Sequence, residues 1–186
     1  MIPKPGQCLA IYSHGFVEDS IKLLEGIKEL RNKTFSKGEI LVNHIATIAN
    51  NKNGKLCVYD MTAKGCVETI WEESRYFRNE VKYFILELTK EPTPYELLGF
   101  QIAIRNDVGK PYDFGGIVSQ LIFSLFGKWF GKKGKAAKER FYCSEQWTTR
   151  WNEQIPGIFR FPWLWSPQLV FESVYVKIVG SNFETR

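Results

Sequence analysis

The chain has 186 residues, of which 44% are hydrophobic and 15% aromatic, enough to form the core of one globular domain and too apolar for a disordered protein. Its formal net charge of +5 does not by itself indicate a protein that binds nucleic acid. The four cysteines form no CxxC pair, so we expect no metal site and no cofactor. The sequence shows no signal peptide or transmembrane segment, so we expect reduced thiols and a cytoplasmic location.

In the first half of the chain, the pattern predicts one helix and several short strands. Apolar residues at helical spacing predict the helix from Glu18 to Arg31. Runs rich in β-branched and aromatic residues predict strands at 7–12, 40–49, 56–61, 65–69 and 81–88. The sequence NNKNG at 50–54 is a turn signal, so the second and third of these strands are expected to form a hairpin.

In the second half, helical patterns dominate. Thr93 followed by proline is a typical helix start, and the helix is expected to run to about Asn106. Two more helices are predicted at 112–126 and 144–152, and a last strand at 173–179. A helix, a run of antiparallel strands and then further helices indicate an α+β domain.

Cys143 lies in the sequence FYCSEQW, at the start of a predicted helix. A thiol at a helix N-terminus faces unpaired N–H groups and the positive end of the helix dipole, which favour its thiolate. A nucleophilic cysteine also needs a base, and the chain has only two histidines. His44 lies within a predicted strand and is rigidly held there, whereas His14 is expected in a loop and is the alternative base if His44 is not the partner.

The hairpin supplies a third residue for this site. Pairing the two strands around NNKNG places His44 opposite Asp60, close enough for the carboxylate to reach a ring nitrogen. A register shift of one residue would turn Asp60 to the other face of the sheet. Taken alone, the three residues also fit structural roles, because cysteine is most often a small buried apolar residue.

Five short segments, in this order, resemble the permuted papain-like cysteine hydrolases of the YiiX type, which are related to NlpC-type hydrolases and lecithin-retinol acyltransferases. The segments YCSE at 142–145 and GKPYDF at 109–114 are the most distinctive of them. The other three depart from the family pattern, which has Asp for Gln7, Ser for Asn43, Gly for Ala46 and Glu for Asp60; they are GQCLAIY at 6–12, NHIATI at 43–48 and VYDM at 58–61. The histidine precedes the cysteine, as in the permuted order.

The resemblance covers about residues 6–150 and implies a circularly permuted papain-like (NlpC-like) fold, in which an antiparallel sheet packs against the helix that bears the cysteine at its N-terminus. It implies a single domain over 1–186, with 159–186 as a C-terminal covering segment and strand. The implied activity is a cysteine peptidase or amidase that cleaves an amide or ester through a thioester. Cys143 would be the nucleophile, His44 the base and Asp60 the residue that orients His44, and the substrate would be a peptide, a peptidoglycan-like polymer or a lipid.

Two alternatives stay open at this point: a lipid acyltransferase or deacylase acting at a membrane surface, and a binding module that keeps the fold without activity. Tyr142 and Glu145 are supporting candidates beside the cysteine, although a core aromatic and a structural carboxyl are the preferred interpretations of them. A basic stretch near Trp129 suggests either a solvated loop or a surface for an anionic membrane, and nucleic acid is not expected as its partner. Its basic residues are Lys128, Lys132, Lys133, Lys135, Lys138 and Arg140.

Overall fold

The computed structural model describes residues 1–12, 42–119 and 139–183. The helix expected from Glu18 to Arg31 and the alternative base His14 lie outside these residues. All of the basic stretch except Arg140 also lies outside them.

The described strands form one six-stranded sheet in which every pair of neighbours is antiparallel, in the order β4-β3-β2-β1-β5-β6. The strands are β1 (Cys8–Tyr12), β2 (His44–Asn50), β3 (Leu56–Thr62), β4 (Gly65–Ile70), β5 (Lys82–Leu88) and β6 (Val176–Ser181). The five strands expected in the first half are thus confirmed, with their ends moved by a few residues. The last strand begins three residues later than expected, after a bend at 173–175.

Four helices are described: α1 (Pro94–Arg105), α2 (residues 114–119), α3 (Cys143–Gln154) and the short α4 (Pro167–Phe171). Thr93 begins α1 as expected, since its hydroxyl accepts the N–H of Glu96 and the Glu96 carboxylate accepts the N–H of Thr93. The start expected for the next helix, Tyr112, is wrong by two residues. Tyr112 instead forms a β-bridge with Phe141, so it is held in extended backbone.

The sheet has an apolar cluster on each face. On one face, α1 and α3 pack over β2 and β3, and Phe100 of α1 stacks on Trp151 of α3 with ring centroids 4.1 Å apart. On the other face, Leu9, Ile48 and Trp71 belong to a smaller cluster. Because β1 and β2 are buried on both faces, they are nearly continuous apolar runs in the sequence. The architecture is α+β, as expected.

The N-terminal segment fixes α3 against the sheet. The carbonyl oxygen of Gly6 accepts the indole N–H groups of Trp147 and Trp151, at 3.3 and 3.1 Å. Gln7 is buried, and its amide donates to Glu87 at 2.9 Å. These bonds tie the helix that begins with Cys143 to the sheet that carries His44.

Candidate active site

His44 is the first residue of β2, and its side chain is buried with 4% exposure. Its Nε2 atom lies 2.5 Å from Oδ1 of Asp60 in the neighbouring strand β3. The predicted contact between His44 and Asp60 is therefore confirmed.

The expected pairing of these two residues is nevertheless wrong by two positions. Asp60 lies opposite Ala46 rather than His44, because β2 and β3 are joined by a five-residue loop after Asn50. This loop spans 51–55 rather than the expected 50–54. The side chain of Asn51 stabilises it by accepting the N–H groups of Asn53 and Lys55, at 3.0 and 3.1 Å. A shift of two residues preserves the face of the sheet, so the carboxylate still reaches the ring as a diagonal neighbour.

Cys143 is the first residue of α3 and follows Tyr142, whose backbone is extended. The first turn closes with a bond from the N–H of Gln146 to the carbonyl of Tyr142, at 3.1 Å. The N–H groups ahead of Gln146 therefore have no acceptor within the helix. The predicted position of the cysteine at a helix N-terminus is confirmed, and its side chain is fully buried.

The three side chains form one electrostatic unit. Burial lowers the pKa of His44, but the charges of Asp60 and Cys143, together with hydrogen bonds to both, outweigh it and raise the pKa to about 10. Burial acts to raise the pKa of Asp60, whereas the charge of His44 and the bonds from His44, Tyr76 and Arg75 lower it to about 2. Since Asp60 occupies Nε2, Nδ1 is the ring nitrogen left for Cys143.

Two residues that no sequence pattern indicated also bond to Asp60. The hydroxyl of Tyr76 donates to Oδ2 of Asp60 at 2.6 Å, and Nη2 of Arg75 donates to the same oxygen at 3.3 Å. Both residues follow a short 3₁₀ helix, Trp71–Glu73, in a segment without strand or helix periodicity. No motif or spacing marks them in the sequence.

An open cleft of about 250 Å³ borders Asp60, and His44 is not among the residues that line it. Arg75, Tyr76 and Asp60 form part of its wall, and Thr62 and Thr69 line the rest of the strand surface. The Asp60 side chain is therefore partly exposed, at 13%, although its Oδ1 atom is bonded to the buried His44 ring.

Tyr142 and Glu145 are both buried and contact structural groups. The Tyr142 hydroxyl donates to the carbonyl of Trp163 at 2.6 Å, which attaches the C-terminal covering segment to the start of α3. The Glu145 carboxylate accepts the N–H of Tyr142 at 3.4 Å. Burial, together with the charge of Asp113, raises the pKa of Glu145 to about 8.

The segment GKPYDF positions the cysteine from the other side. The N–H of Asp113 donates to the carbonyl of Phe141 at 2.9 Å, and the Asp113 carboxylate accepts the N–H of Gly116 at 2.9 Å. Asp113 therefore caps α2 and holds the backbone two residues before Cys143.

The other three cysteines, like Cys143, are buried and form no disulfide. Burial raises the pKa of Cys57 to about 11 and that of Cys66 to about 12, and it raises the pKa of Cys8 well above its usual range. These thiols are protonated near neutral pH. Cys143 differs from them in that its charge and a hydrogen bond to it act on the pKa of His44.

Within the described residues, no group of histidine, cysteine and carboxylate side chains is arranged to hold a metal ion. No described helix is long and apolar enough to cross a membrane. Compared with family models and with curated proteins, the sequence matches none of them.

Proposed function

We propose that this protein is a cysteine-dependent hydrolase of the permuted papain-like type, which cleaves an amide or ester through a thioester on Cys143. The observation that carries the proposal is the place of the His44 ring, whose Nε2 lies 2.5 Å from Oδ1 of Asp60 and whose pKa is raised by the charge of Cys143 and a hydrogen bond to it as well as by Asp60. Thiol hydrolysis requires a nucleophile, a base that bonds to it and a carboxylate that orients the base, and Cys143, His44 and Asp60 fit these three roles in that order.

The raised pKa of His44 favours the imidazolium form near neutral pH. In this mechanism, the proton that His44 carries is the one that Cys143 gives up before the attack. The thiolate attacks the carbonyl carbon of the substrate. The oxyanion of the tetrahedral intermediate then accepts hydrogen bonds from the backbone N–H groups at the start of α3, which have no acceptor within the helix. His44 then returns its proton from Nδ1 to the leaving amine or alcohol, which leaves a thioester on Cys143. In the second half-reaction, neutral His44 takes a proton from water, hydroxide attacks the thioester, and the acid product leaves the thiol.

The fold supports the same assignment. A six-stranded antiparallel sheet carries the histidine, and the helix packed on that sheet begins with the cysteine. Histidine precedes cysteine along the chain, which fits the permuted order that the motifs resemble. Cys143 is fully buried, so a substrate reaches it only when the chain that covers it moves.

Thiol reactivity tests this proposal, and the equal burial of the four cysteines makes each of the other three an internal control. The protein is treated with iodoacetamide near neutral pH, and the labelling of each cysteine is followed by peptide mass spectrometry. We expect Cys143 to react at least about tenfold faster than the others, because its thiol interacts with the His44 imidazole through charge and a hydrogen bond. His44→Ala is expected to remove the difference, and His14→Ala to leave it unchanged.

A second measurement connects reactivity to catalysis. A p-nitrophenyl ester should leave one acyl group on Cys143, release nitrophenol in a burst and then turn over slowly. Equal labelling of all four thiols, with no acyl adduct, would reject the hydrolase and favour a binding module that keeps the fold.

A further inference from the structure

The carboxylate of Asp60 is bonded on both of its oxygens, by different parts of the chain. Oδ1 faces His44, whereas Oδ2 accepts the hydroxyl of Tyr76 at 2.6 Å and Nη2 of Arg75 at 3.3 Å. Arg75 also donates to the Tyr76 oxygen at 3.0 Å, so the two residues support each other. The division of donors between the two oxygens defines a single orientation of the carboxylate.

This orientation matters because the final torsion of an aspartate is broad and nearly two-fold. A carboxylate bonded only to His44 could rotate, exchange its oxygens and loosen the bond to Nε2. Two donors on Oδ2 prevent that rotation and keep Oδ1 aimed at the ring. A charged network in which each member is bonded holds its geometry more firmly than isolated pairs.

We propose that Tyr76 and Arg75 are positioning residues of the active site, which fix Asp60 and through it the His44 ring in the orientation that serves Cys143. The role rests on the proposed function, in which His44 is the base. Neither residue contacts the thiol or a substrate in this role; both act through Asp60.

Burial ranks the two residues. Tyr76 is 2% exposed, and its ring packs edge-on against Tyr83 with centroids 6.3 Å apart, so its hydroxyl has little freedom. The Arg75 side chain is 37% exposed and lies over the Tyr76 ring at 5.0 Å. We therefore expect a larger effect from Tyr76 than from Arg75.

The sign of the effect follows from the groups that face His44. Asp60 and Cys143 hold the imidazolium, and burial opposes it. When Tyr76 loses its hydroxyl, Asp60 turns more freely and binds the imidazolium less well, while the burial stays. The pKa of His44 should then fall, and Cys143 should be alkylated more slowly because the ring that faces it is less firmly oriented.

The chain offers a matched control in Tyr59, which is fully buried one position before Asp60 in the same strand. Its hydroxyl also donates to a carboxylate, Oε2 of Glu68, at 2.7 Å. Tyr76→Phe and Tyr59→Phe each remove one buried hydroxyl bonded to a carboxylate. Only the first touches the carboxylate that holds His44.

The experiment measures iodoacetamide labelling of Cys143 against pH and the pKa of His44 by NMR in both variants. We expect Tyr76→Phe to slow labelling of Cys143 about tenfold near neutral pH, because a loosely oriented His44 ring bonds the thiol less well, and to lower the His44 pKa by about one unit, since a bond to a charged group is worth about that much. Tyr59→Phe should change neither. Equal values for the two variants would overturn the proposal, as would a rise of the His44 pKa in Tyr76→Phe.

If Tyr76→Phe does not fold, Arg75→Gln and Arg78→Gln decide instead. Arg78 is exposed and paired with Glu80, so it is the neutral reference. Arg75→Gln should slow labelling about two- to threefold relative to Arg78→Gln, in line with a partly exposed ion pair; no difference would overturn the proposal. If wild-type Cys143 labels no faster than the other thiols, the proposed function falls, and the His44 pKa in the matched tyrosine variants still decides the role of Tyr76.

Discussion

Two clusters in this protein are each built around an aspartate, and they differ in the partners of that aspartate. The Asp60 cluster consists of His44, Asp60, Arg75 and Tyr76, and the Asp107 cluster of Asp107, Lys110, Gln146 and Arg150. Asp107 is fully buried and accepts Nε of Arg150 and Nζ of Lys110, both at 2.8 Å, and Nε2 of Gln146 at 3.3 Å. Arg150 forms a second bond to the other Asp107 oxygen through Nη2.

The partner decides what each carboxylate does. A guanidinium keeps its proton at every relevant pH and binds a carboxylate through a rigid fork, so the Asp107 cluster holds atoms in place. An imidazole exchanges its proton near neutrality, so the same kind of carboxylate in the Asp60 cluster controls a proton. A buried aspartate is thus not a sign of chemistry in itself.

Both clusters act on the same helix. Cys143 is the first residue of α3 and Arg150 lies two turns further on, about 10 Å along the axis. Gln146, between them, contacts Asp107 and also donates to Sγ of Cys66 in β4, at 3.3 Å. The Asp107 cluster therefore fixes the helix to the body of the domain, and the Asp60 cluster aims a base at its first residue.

The largest expected effect comes from breaking the structural cluster. Asp107→Asn leaves the buried Arg150 without its main counter-charge, and a broken buried ion pair costs about 3–5 kcal/mol in the free energy of unfolding. Urea denaturation followed by tryptophan fluorescence measures the loss. The control is Glu153→Gln, which removes the outer and more exposed partner of Arg150 and should cost less than about 1 kcal/mol. Similar unfolding midpoints for the two variants would contradict the structural role of Asp107.

Asp60→Asn should separate chemistry from stability. We expect labelling of Cys143 near neutral pH to fall about tenfold or more, because His44 loses the charge that favours its imidazolium. The cost in unfolding free energy should be smaller than for Asp107→Asn, about 1–3 kcal/mol, since His44 can release its proton and Arg75 can turn to solvent.

The acid dependence of stability gives a second readout for this variant. The pKa of Asp60 is about 2 in the folded protein against an ordinary 3.8, so its stabilising effect is present above about pH 4 and is lost as the pH falls toward 2. Asp60→Asn should lack that part of the acid denaturation curve. Glu68→Gln is the control for loss of a carboxylate on the neighbouring strand. A variant Asp60→Asn that is as unstable as Asp107→Asn and labels normally would abolish the contrast between the clusters.

The smallest expected effect concerns a third buried carboxyl, Glu145, whose neighbours are the charge of Asp113 and the backbone of Tyr142. Its pKa of about 8 exceeds the ordinary 4.5, so the folded protein keeps a proton that the unfolded chain releases, and stability falls as the pH rises from about 4.5 to 8. Glu145→Gln should remove this loss and gain about 1 kcal/mol near pH 8, with no gain near pH 4. Thermal denaturation at both pH values measures it against Glu80→Gln, an exposed carboxyl; a gain of equal size at both pH values would show that ionisation is not the cause.

The hairpin of β2 and β3 shows how far the sequence could predict this site. The turn signal joined the two strands, and pairing them around it placed His44 and Asp60 on one face. The exact register was wrong because the five-residue loop spans 51–55 rather than 50–54, and the side chain of Asn51 stabilises it there by accepting two backbone N–H groups. The register shift of two residues left the contact between His44 and Asp60 intact. The predicted contact was therefore correct although the predicted strand register was not.

Arg75 and Tyr76 show where sequence reasoning could not reach. They lie 15 and 16 residues from Asp60, in an irregular segment, and meet it only after β4 and the 3₁₀ helix have turned the chain back. No periodicity or cap signal records such a return. The Asp107 pair is a longer-range case, since Asp107 and Arg150 are 43 residues apart.

The sequence by itself determined the features that depend on near neighbours: the strands, the Thr93 cap, the helix that starts at Cys143, and the common face of His44 and Asp60. These follow from backbone sterics, capping and hydrophobic alternation, which operate over a few residues. Only the tertiary structure decided which donors surround Asp60, which aspartate binds arginine, and which of four buried thiols meets an imidazole. Those choices depend on how α3 packs on the sheet, where apolar burial sets the position and each buried charge takes the partners that packing brings within reach.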